Sequence, residues 1–370
     1  MRPFIPQRLP ITEIEWERLI PSIGKANRAL ALYDGLLQGI PEPAVLLSPL
    51  TTQEAVLSSK IEGTQATLGE VLKFDAGESP KEEERRRDIG EIVNYRRALF
   101  YAQSTLADRA FTLSLLKELH AILLDSVRGE NKQPGLFRTT QNWIGPSGTP
   151  MEQALFVPPE PILLPEYLEN WEEYYHRERP DPFVQLAVLH AQFEILHPFN
   201  DGNGRLGRML VPLFLFERKI LSSPMFYLSS YLEKHRDRYV AALRQLGVEQ
   251  GAWNAWIEFF LTAISEQAGI NTDKVRAIMS LYAELKERVL RLTHSQYAVP
   301  LLDRLFARPI FQAAQLATDP AMPSRPMISN LLGKLKQDGI LSVLSPGSGR
   351  RGETLILSGL VNLCEGKALF

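Results

Sequence analysis

Residues 197–208 read HPFNDGNGRLGR, a run that joins a histidine, an acid, three glycines and two arginines. An apolar helical pattern resumes directly after it, so GNGR (Gly202–Arg205) should stand where a helix begins. Unpaired backbone N–H groups and the positive end of the helix dipole favour an anion there, and glycines let a phosphate approach the backbone closely. Arg205 and Arg208 lie three residues apart and project from neighbouring turns of one face. Their planar forks suit phosphate oxygens. Asp201 offers a hard oxygen ligand for Mg²⁺, which usually takes one or two carboxylates together with phosphate oxygens. His197 is the group in the loop able to accept a proton near neutral pH. Together these residues describe a nucleotide-phosphate cradle with a general base beside it.

Two plainer readings compete. A glycine-rich helix connection with a structural histidine is common. His190, Glu194 and His197 could instead form a metal site, since HxxxE puts two ligands on one helix face. No third nitrogen or sulfur ligand is apparent for zinc, however, and His190 falls within the apolar stripe, as a core residue would.

The loop depends on its flanks. FVQLAVLHAQFEIL (Phe183–Leu196) before it and MLVPLFLFERKI (Met209–Ile220) after it are apolar at helical spacing, which predicts two buried helices. Helices are also expected from near Ser22 to a stop at Gly39–Pro43, over Ser48–Ile61 with an end at Gly63, and over about Thr67–Phe74. Asp75–Pro80 reads as a loop, and the charged run after it as an exposed helix supported by Glu82–Arg86 and Glu83–Arg87 pairs. Further helices are expected over Phe111–Val127, Leu228–Leu246, Trp253–Ala268 and about Ile270–Leu292. Between Gln133 and Pro161 the texture changes: TQNWIG and ALFVPP flank PSGTPMEQ in the manner of a β-hairpin. The fold class is therefore mainly α. The expected divisions are an N-terminal helical region (1–105), a core (106–268), a connecting helix (269–295) and a C-terminal unit (296–370).

Composition narrows the setting. A chain of 370 residues has room for two or three domains, and a formal net charge of −2 shows no whole-chain bias towards nucleic acid or anionic membrane. One cysteine, Cys364, excludes an internal disulfide framework and fits a reducing compartment. Prolines interrupt the N-terminal MRPFIPQRLP where a signal peptide needs an apolar stretch. The longest wholly apolar run, MLVPLFLF, is far short of the ~20 residues that span a membrane. A cytoplasmic protein with no membrane partner is expected.

HPFNDGNGRLGR matches, without a gap, the signature HPFx(D/E)GNGRxxR of the Fic family at its nine specified positions. The resemblance extends over Phe111–Ala268 and implies a Fic-type helical core with a β-hairpin flap. It implies a protein adenylyltransferase, moving AMP from ATP to a Ser, Thr or Tyr hydroxyl of a target protein or of itself and releasing pyrophosphate. Carried over by residue, His197 would deprotonate the hydroxyl and Asp201 would hold Mg²⁺ against the α- and β-phosphates. ATP-phosphate binding would fall to Gly202, Asn203, Gly204, Arg205, Leu206, Gly207 and Arg208, with the two arginines steadying the phosphates and the leaving group. The flap (141–158) would pair its edge with an extended target segment. The family also implies a homodimer. Tyr239 is a candidate for the nucleobase pocket and fits helix core equally well. Transfer of phosphocholine, phosphate or UMP would keep most of the same loop, and removal of AMP by the same site is a further alternative.

SSKIEG (Ser58–Gly63) fits the family's inhibitory pattern (S/T)xxxE(G/N), with Ser58, Glu62 and Gly63 in the specified places. Read alone it is a helix end capped by glycine. A glutamate at a helix C-terminus opposes the dipole, which hints at an outside cation. The resemblance names that cation as Arg208 and places the chain in the class with an N-terminal inhibitory helix.

The last stretch has its own layout. PIFQAAQLA and MISNLLGKLKQDG are two helical patterns separated by TDPAMPSRP, and the strands LSVL and TLIL flank SPGSGRRGE. Helix, turn, helix and hairpin describe a small winged helix-turn-helix domain. Within 322–352, Arg325, Lys334, Lys336, Arg350 and Arg351 face a single acid, Asp338. Those residues raise a function of another class: a DNA-binding regulator in which the loop is a sensor, although winged helices also serve as protein-binding modules.

Overall fold

The computed structural model describes residues 2–127, 132–145, 148–246, 251–347, 352–368 and 370. Helices dominate it. In chain order they are α1 (Trp16–Gln38), α2 (Pro43–Leu46), α3 (Ser48–Ile61), α4 (Leu68–Asp75), α5 (Glu83–Leu106), α6 (Leu113–Leu123), α7 (Leu164–His176) and α8 (Pro182–Leu196). They continue as α9 (Asn203–Glu217), α10 (Ser229–Lys234), α11 (Arg236–Gln245), α12 (Ala252–Thr293), α13 (Ala298–Ala307), α14 (Ala313–Leu316), α15 (Arg325–Gln337) and α16 (Ser358–Glu365). Three short strands, β1 (Ile310–Gln312), β2 (Ser342–Ser345) and β3 (Thr354–Ile356), form one antiparallel sheet in the order β1-β3-β2.

The chain divides into two compact units. The first holds residues up to 34, Leu57–Gly63 and Val93–Gly269. Its centre is α8, of whose 15 residues only Pro182 and Glu194 escape full burial; a helix that is apolar on every side belongs in the middle of a core. Asp181 starts α8 by accepting from the N–H groups of Phe183 and Val184 at 2.9 Å each, and Pro182 takes a first-turn position that needs no N–H. Trp171 and Trp256 lie against α8 and donate their indole N–H to the carbonyls of Leu189 (2.9 Å) and Ala187 (2.8 Å). Phe111, Tyr175 and Phe214 complete the aromatic floor under α8 and α9.

The second unit gathers Gly35–Val56, Thr64–Ile92 and Ile270–Phe370. It contains the sheet and helices α13 to α16. Here PIF does not continue a helix: Ile310 and Phe311 are buried and pair with Ile356 and Leu355 of β3. Two adjacent β-favouring side chains facing an open strand edge outweigh a weak helical period.

Other differences have local causes. α1 begins at Trp16, well before Ser22, and runs through Pro21, because Leu19, Ala26, Leu30 and Tyr33 form one buried stripe. The stretches expected as Trp253–Ala268 and Ile270–Leu292 are one 42-residue helix, α12; an interior glycine costs a helix ~1 kcal/mol, too little to break it at Gly269. Leu228–Leu246 is two helices, divided at His235. Among the described residues, the expected hairpin in the flap shows one antiparallel bridge, Ile144 to Phe156. Pro150, Pro158 and Pro159 bring no N–H to a ladder, so pairing stops there.

α4 is started by a complete capping box: Thr67 Oγ1 accepts from Glu70 N, and the Glu70 carboxylate accepts from Thr67 N at 2.8 Å. Thr67→Ala should therefore destabilise the second unit by ~1 kcal/mol. Urea unfolding followed by circular dichroism would show a lowered midpoint with an unchanged slope.

Candidate active site

The polar loop between α8 and α9 is held by its own side chains and by two buried neighbours. Asn203 folds back on Phe199: its Oδ1 accepts from Phe199 N (2.9 Å) and its Nδ2 donates to Phe199 O (2.8 Å). That side chain is thus spent on the turn, leaving the backbone N–H of Asn203 for an anion. Gly202 is left-handed (φ 79°), and a Cβ there would press on Leu123 Cδ2 at 3.3 Å.

His120 lies beneath the loop, fully buried and stacked on Phe199 with ring centroids 3.8 Å apart. Its Nδ1 accepts from Gly135 N (2.8 Å), so its Nε2–H donates to the carbonyl of Asp201 (3.0 Å). Burial pushes it down to about 4, which keeps this single neutral tautomer at neutral pH. Arg138 closes the frame with a hydrogen bond from Nε to the carbonyl of His197 (2.9 Å). Neither residue stood out in the sequence, since each is separated from the loop by a long stretch of chain.

His197 caps α8 in a left-handed conformation (φ 45°, ψ 58°), which turns its ring out of the helix. Burial lowers its imidazole to about 4, against opposing influences from Glu62, the carbonyl of Glu194 and Asp201. The ring is therefore neutral at neutral pH, and its Nδ1 has no hydrogen-bond partner among the described residues. Asp201 keeps a carboxylate that is 40% exposed; its Oδ1 accepts from Gly202 N (2.6 Å) and lies 3.5 Å from Arg205 Nη2. A single exposed carboxylate next to a helix N-terminus fits the donor set of Mg²⁺ shared with phosphate oxygens.

Arg208 is 1% exposed, and the Nε and Nη2 groups of its guanidinium are engaged by the end of α3. Nε donates to Ser58 Oγ (3.0 Å), while Nη2 donates to Ser58 O (2.8 Å) and to Glu62 Oε1 (2.7 Å). Burial opposes the charge on Glu62, but Arg208 first, then Arg205 and His197, outweigh it and hold its carboxyl below the usual value. Gly63, at φ 106°, stops α3 one residue later. The segment is anchored from the other side by Arg236 Nε on the carbonyl of Ile61 (3.4 Å) and by Lys60 with Glu233 (2.7 Å).

A cavity of about 630 Å³ opens over these groups, within the usual size of small-molecule sites. His197, Gly204, Arg208, Glu62 and Glu194 line its inner wall, α11 supplies Arg236 to Arg244 along one side, and the flap adds Ile144, Gly145, Leu155 and Phe156. Tyr239 is in the wall but its hydroxyl is turned to His190 Nε2 (2.9 Å), whose Nδ1–H donates to Gly207 O (3.0 Å). Both ring nitrogens of His190 are thereby used in the core, and burial pushes it down to about 3. No group of three His, Cys, Asp or Glu placed to hold a metal ion is found among the described residues. Leu206 is fully buried and Gly207 backs onto Glu194, so neither sends a side chain into the cavity.

In the second unit, Lys336 pairs with Glu353 and Lys334 donates to Leu292 O (3.4 Å), while Arg325 is exposed. Arg350 and Arg351 lie outside the described residues.

Residues 20–104 match the description Fic/DOC family N-terminal, and residues 110–215 match Fic/DOC family, together just over half of the chain. The chain belongs to the Fic/DOC family. Among curated proteins, one named probable protein adenylyltransferase from Aquifex aeolicus is 26% identical over 208 residues, 56% of this chain and 57% of its own length. Protein adenylyltransferase Fic of Drosophila ananassae is 28% identical over 159 residues, 42% of this chain and 30% of its own. The chain thus spans about half or less of the length of these relatives. Among solved structures, a Fic family protein from Desulfovibrio desulfuricans shares the fold over 97% of this chain and 99% of its own, with a TM-score of 0.57 at 18% identity. A Fic-domain signalling protein from Bacteroides thetaiotaomicron gives 0.54 at 17% identity, over 68% of this chain and 97% of its own. No described helix is long and apolar enough to cross a membrane.

Two glycines of the Fic motif make room for carboxylates. A Cβ on Gly204 would lie 2.2 Å from Glu62 Oε1, and one on Gly207 would lie 2.2 Å from Glu194 Oε1. Gly204→Ala should cost about 1–3 kcal/mol by pushing Glu62 off Arg208, and the cost should shrink once Glu62 is replaced by Gly. A double-mutant cycle in thermal unfolding reads that coupling; strict additivity would contradict it.

Burial raises the Glu194 carboxyl to about 7, helped by Glu62 and opposed by Arg208, and its Oε1 has no hydrogen-bond partner among the described residues. A raised acid keeps its proton longer folded than unfolded, so its contribution to stability is lost as pH rises from its ordinary value of 4.5 through about 7. Glu194→Gln should match the parent below pH ~4.5, gain on it progressively as the pH rises to about 7, and lead by at most ~3 kcal/mol above that. Melting temperatures across pH 5–8 (an ordinary working range) would show the two curves separating.

Proposed function

We propose that the protein is a protein adenylyltransferase that moves AMP from ATP to a hydroxyl side chain of a protein, held back by Glu62. The observation that carries this reading is that His197 and the N-terminus of α9 share the wall of one cavity. The names of the Aquifex and Drosophila relatives, protein adenylyltransferases, agree with it.

In this reading the triphosphate lies against the N–H groups that open α9, where Gly204 permits close approach and the helix dipole favours negative charge. Arg205 and Arg208 face the phosphates, and Asp201 holds Mg²⁺, which when bound neutralises charge on the phosphate oxygens. His197 takes the proton of the target hydroxyl; the oxygen bonds to the α-phosphorus, and pyrophosphate leaves with the electrons of the broken P–O bond. The flap, bridged at Ile144 and Phe156, borders the cavity and offers backbone to an extended target segment. The nucleobase lies along α11, with the ring of Tyr239 as apolar wall.

The same geometry supports an inhibitory role for α3. While Glu62 and Ser58 occupy the Arg208 guanidinium, that cation is withheld from a phosphate. The strand–helix–helix–hairpin order of β1, α14, α15, β2 and β3 supports a winged helix in the second unit.

A charge-assisted hydrogen bond is worth ~1.5–3 kcal/mol, so Glu62→Gly should tighten ATP binding about tenfold to a hundredfold. Calorimetry with ATP and Mg²⁺ measures this directly. Incorporation of label from α-labelled ATP should rise in Glu62→Gly and vanish in His197→Ala; equal labelling by the parent and both variants would sink the brake and the base together. Because the imidazole is held near 4, the acid limb of kcat/KM should fall well below pH 6.5.

A further inference from the structure

We infer that Arg138 is a positioning residue that couples the flap to the general base, so that a hydroxyl docked on one is aligned with the imidazole of the other. The inference rests on the adenylyl-transfer reading. Arg138 is 2% exposed, and among the described residues all its acceptors are backbone carbonyls. Nε donates to His197 O (2.9 Å), Nη2 to Pro159 O (2.6 Å) and Leu196 O (3.4 Å), and Nη1 to Thr140 O (3.3 Å). Its backbone N–H donates to Pro198 O (2.9 Å).

Burying a guanidinium without a carboxylate is costly, and burial pulls this one down to about 10. An apolar side chain of similar length would fill the space at lower cost, so the charge has a directional task. Thr140 and Pro159 bracket the flap, and Leu196 and His197 are the last carbonyls of α8, where the dipole attracts a cation. One planar fork therefore ties both ends of the flap to the residue that bears the base. The bond to the His197 carbonyl also holds that residue in its left-handed conformation, which a β-substituted side chain adopts reluctantly. None of these contacts involves Gly202–Arg208, so the clasp makes no direct contact with the anion site.

The test uses the full chain carrying Glu62→Gly, with Arg138→Lys, which keeps the cation but not the fork, and Arg138→Met. Three quantities are read: ATP affinity by calorimetry, self-labelling from α-labelled ATP, and hydrogen exchange of amides 141–158 beside the His197 ring signals in NMR. Arg138→Lys should leave ATP affinity within about twofold while labelling falls on the order of a hundredfold, because an ångström of misalignment suffices for that. The flap amides should exchange faster and the His197 signals should shift together. Unchanged labelling with a loosened flap overturns the inference, as does an ATP affinity that falls in step with labelling. Should Arg138→Met fail to fold, the lysine variant still decides. A Glu62→Gly parent that takes no label refutes the transfer reading instead, and the exchange and ring signals then judge the coupling alone.

Discussion

A guanidinium that is 1% exposed must find its acceptors inside the protein, and Arg208 finds them on a segment 146 residues earlier in the chain. That requirement organises much of the first unit. It places the last turn of α3 against the start of α9, and it asks for glycine at 204, because any side chain there would occupy the space of Glu62. It also gives Glu62, at an end of α3 where the dipole disfavours an anion, a cation that compensates for its position. Arg236 and Lys60 then fix the segment from outside.

A polar loop between two buried helices raises the same question for the backbone. Each carbonyl and N–H that leaves water needs a partner. Asn203 serves Phe199, His120 serves Asp201 and Gly135, and Arg138 serves the end of α8. All three are buried groups whose bonding is directed at backbone, so the loop's shape is set by contacts within the protein. Preorganisation of this kind is what a site that works by position and charge needs.

Legibility in the sequence followed the range of the forces involved. α3 runs over Ser48–Ile61 as its pattern predicts, because its apolar period and its glycine stop are local. The alternating apolar runs of the flap predict a hairpin, yet prolines leave one bridge among its described residues. Residues 310–312 were read as helix and are strand, since β3, which pairs with them, lies more than forty positions further on. Gly269 looked like a boundary and sits inside a helix whose buried stripe outweighs one glycine.

By itself the sequence determined the local chemistry: an anion-favouring helix start, a proton acceptor, an exposed acid and two arginines within twelve consecutive residues. Neighbours in the chain are neighbours in space when a turn and a helix are short, so that arrangement needs no fold to be visible. Only the tertiary structure decided which arginine pairs with Glu62, which histidine faces the cavity and which locks the loop from below. The same holds for Arg138, an unremarkable position in the sequence whose guanidinium bonds the carbonyls of Thr140 and Pro159 and those of Leu196 and His197. Burial and long-range hydrogen bonding assign those parts, and both exist only once distant segments have been brought together.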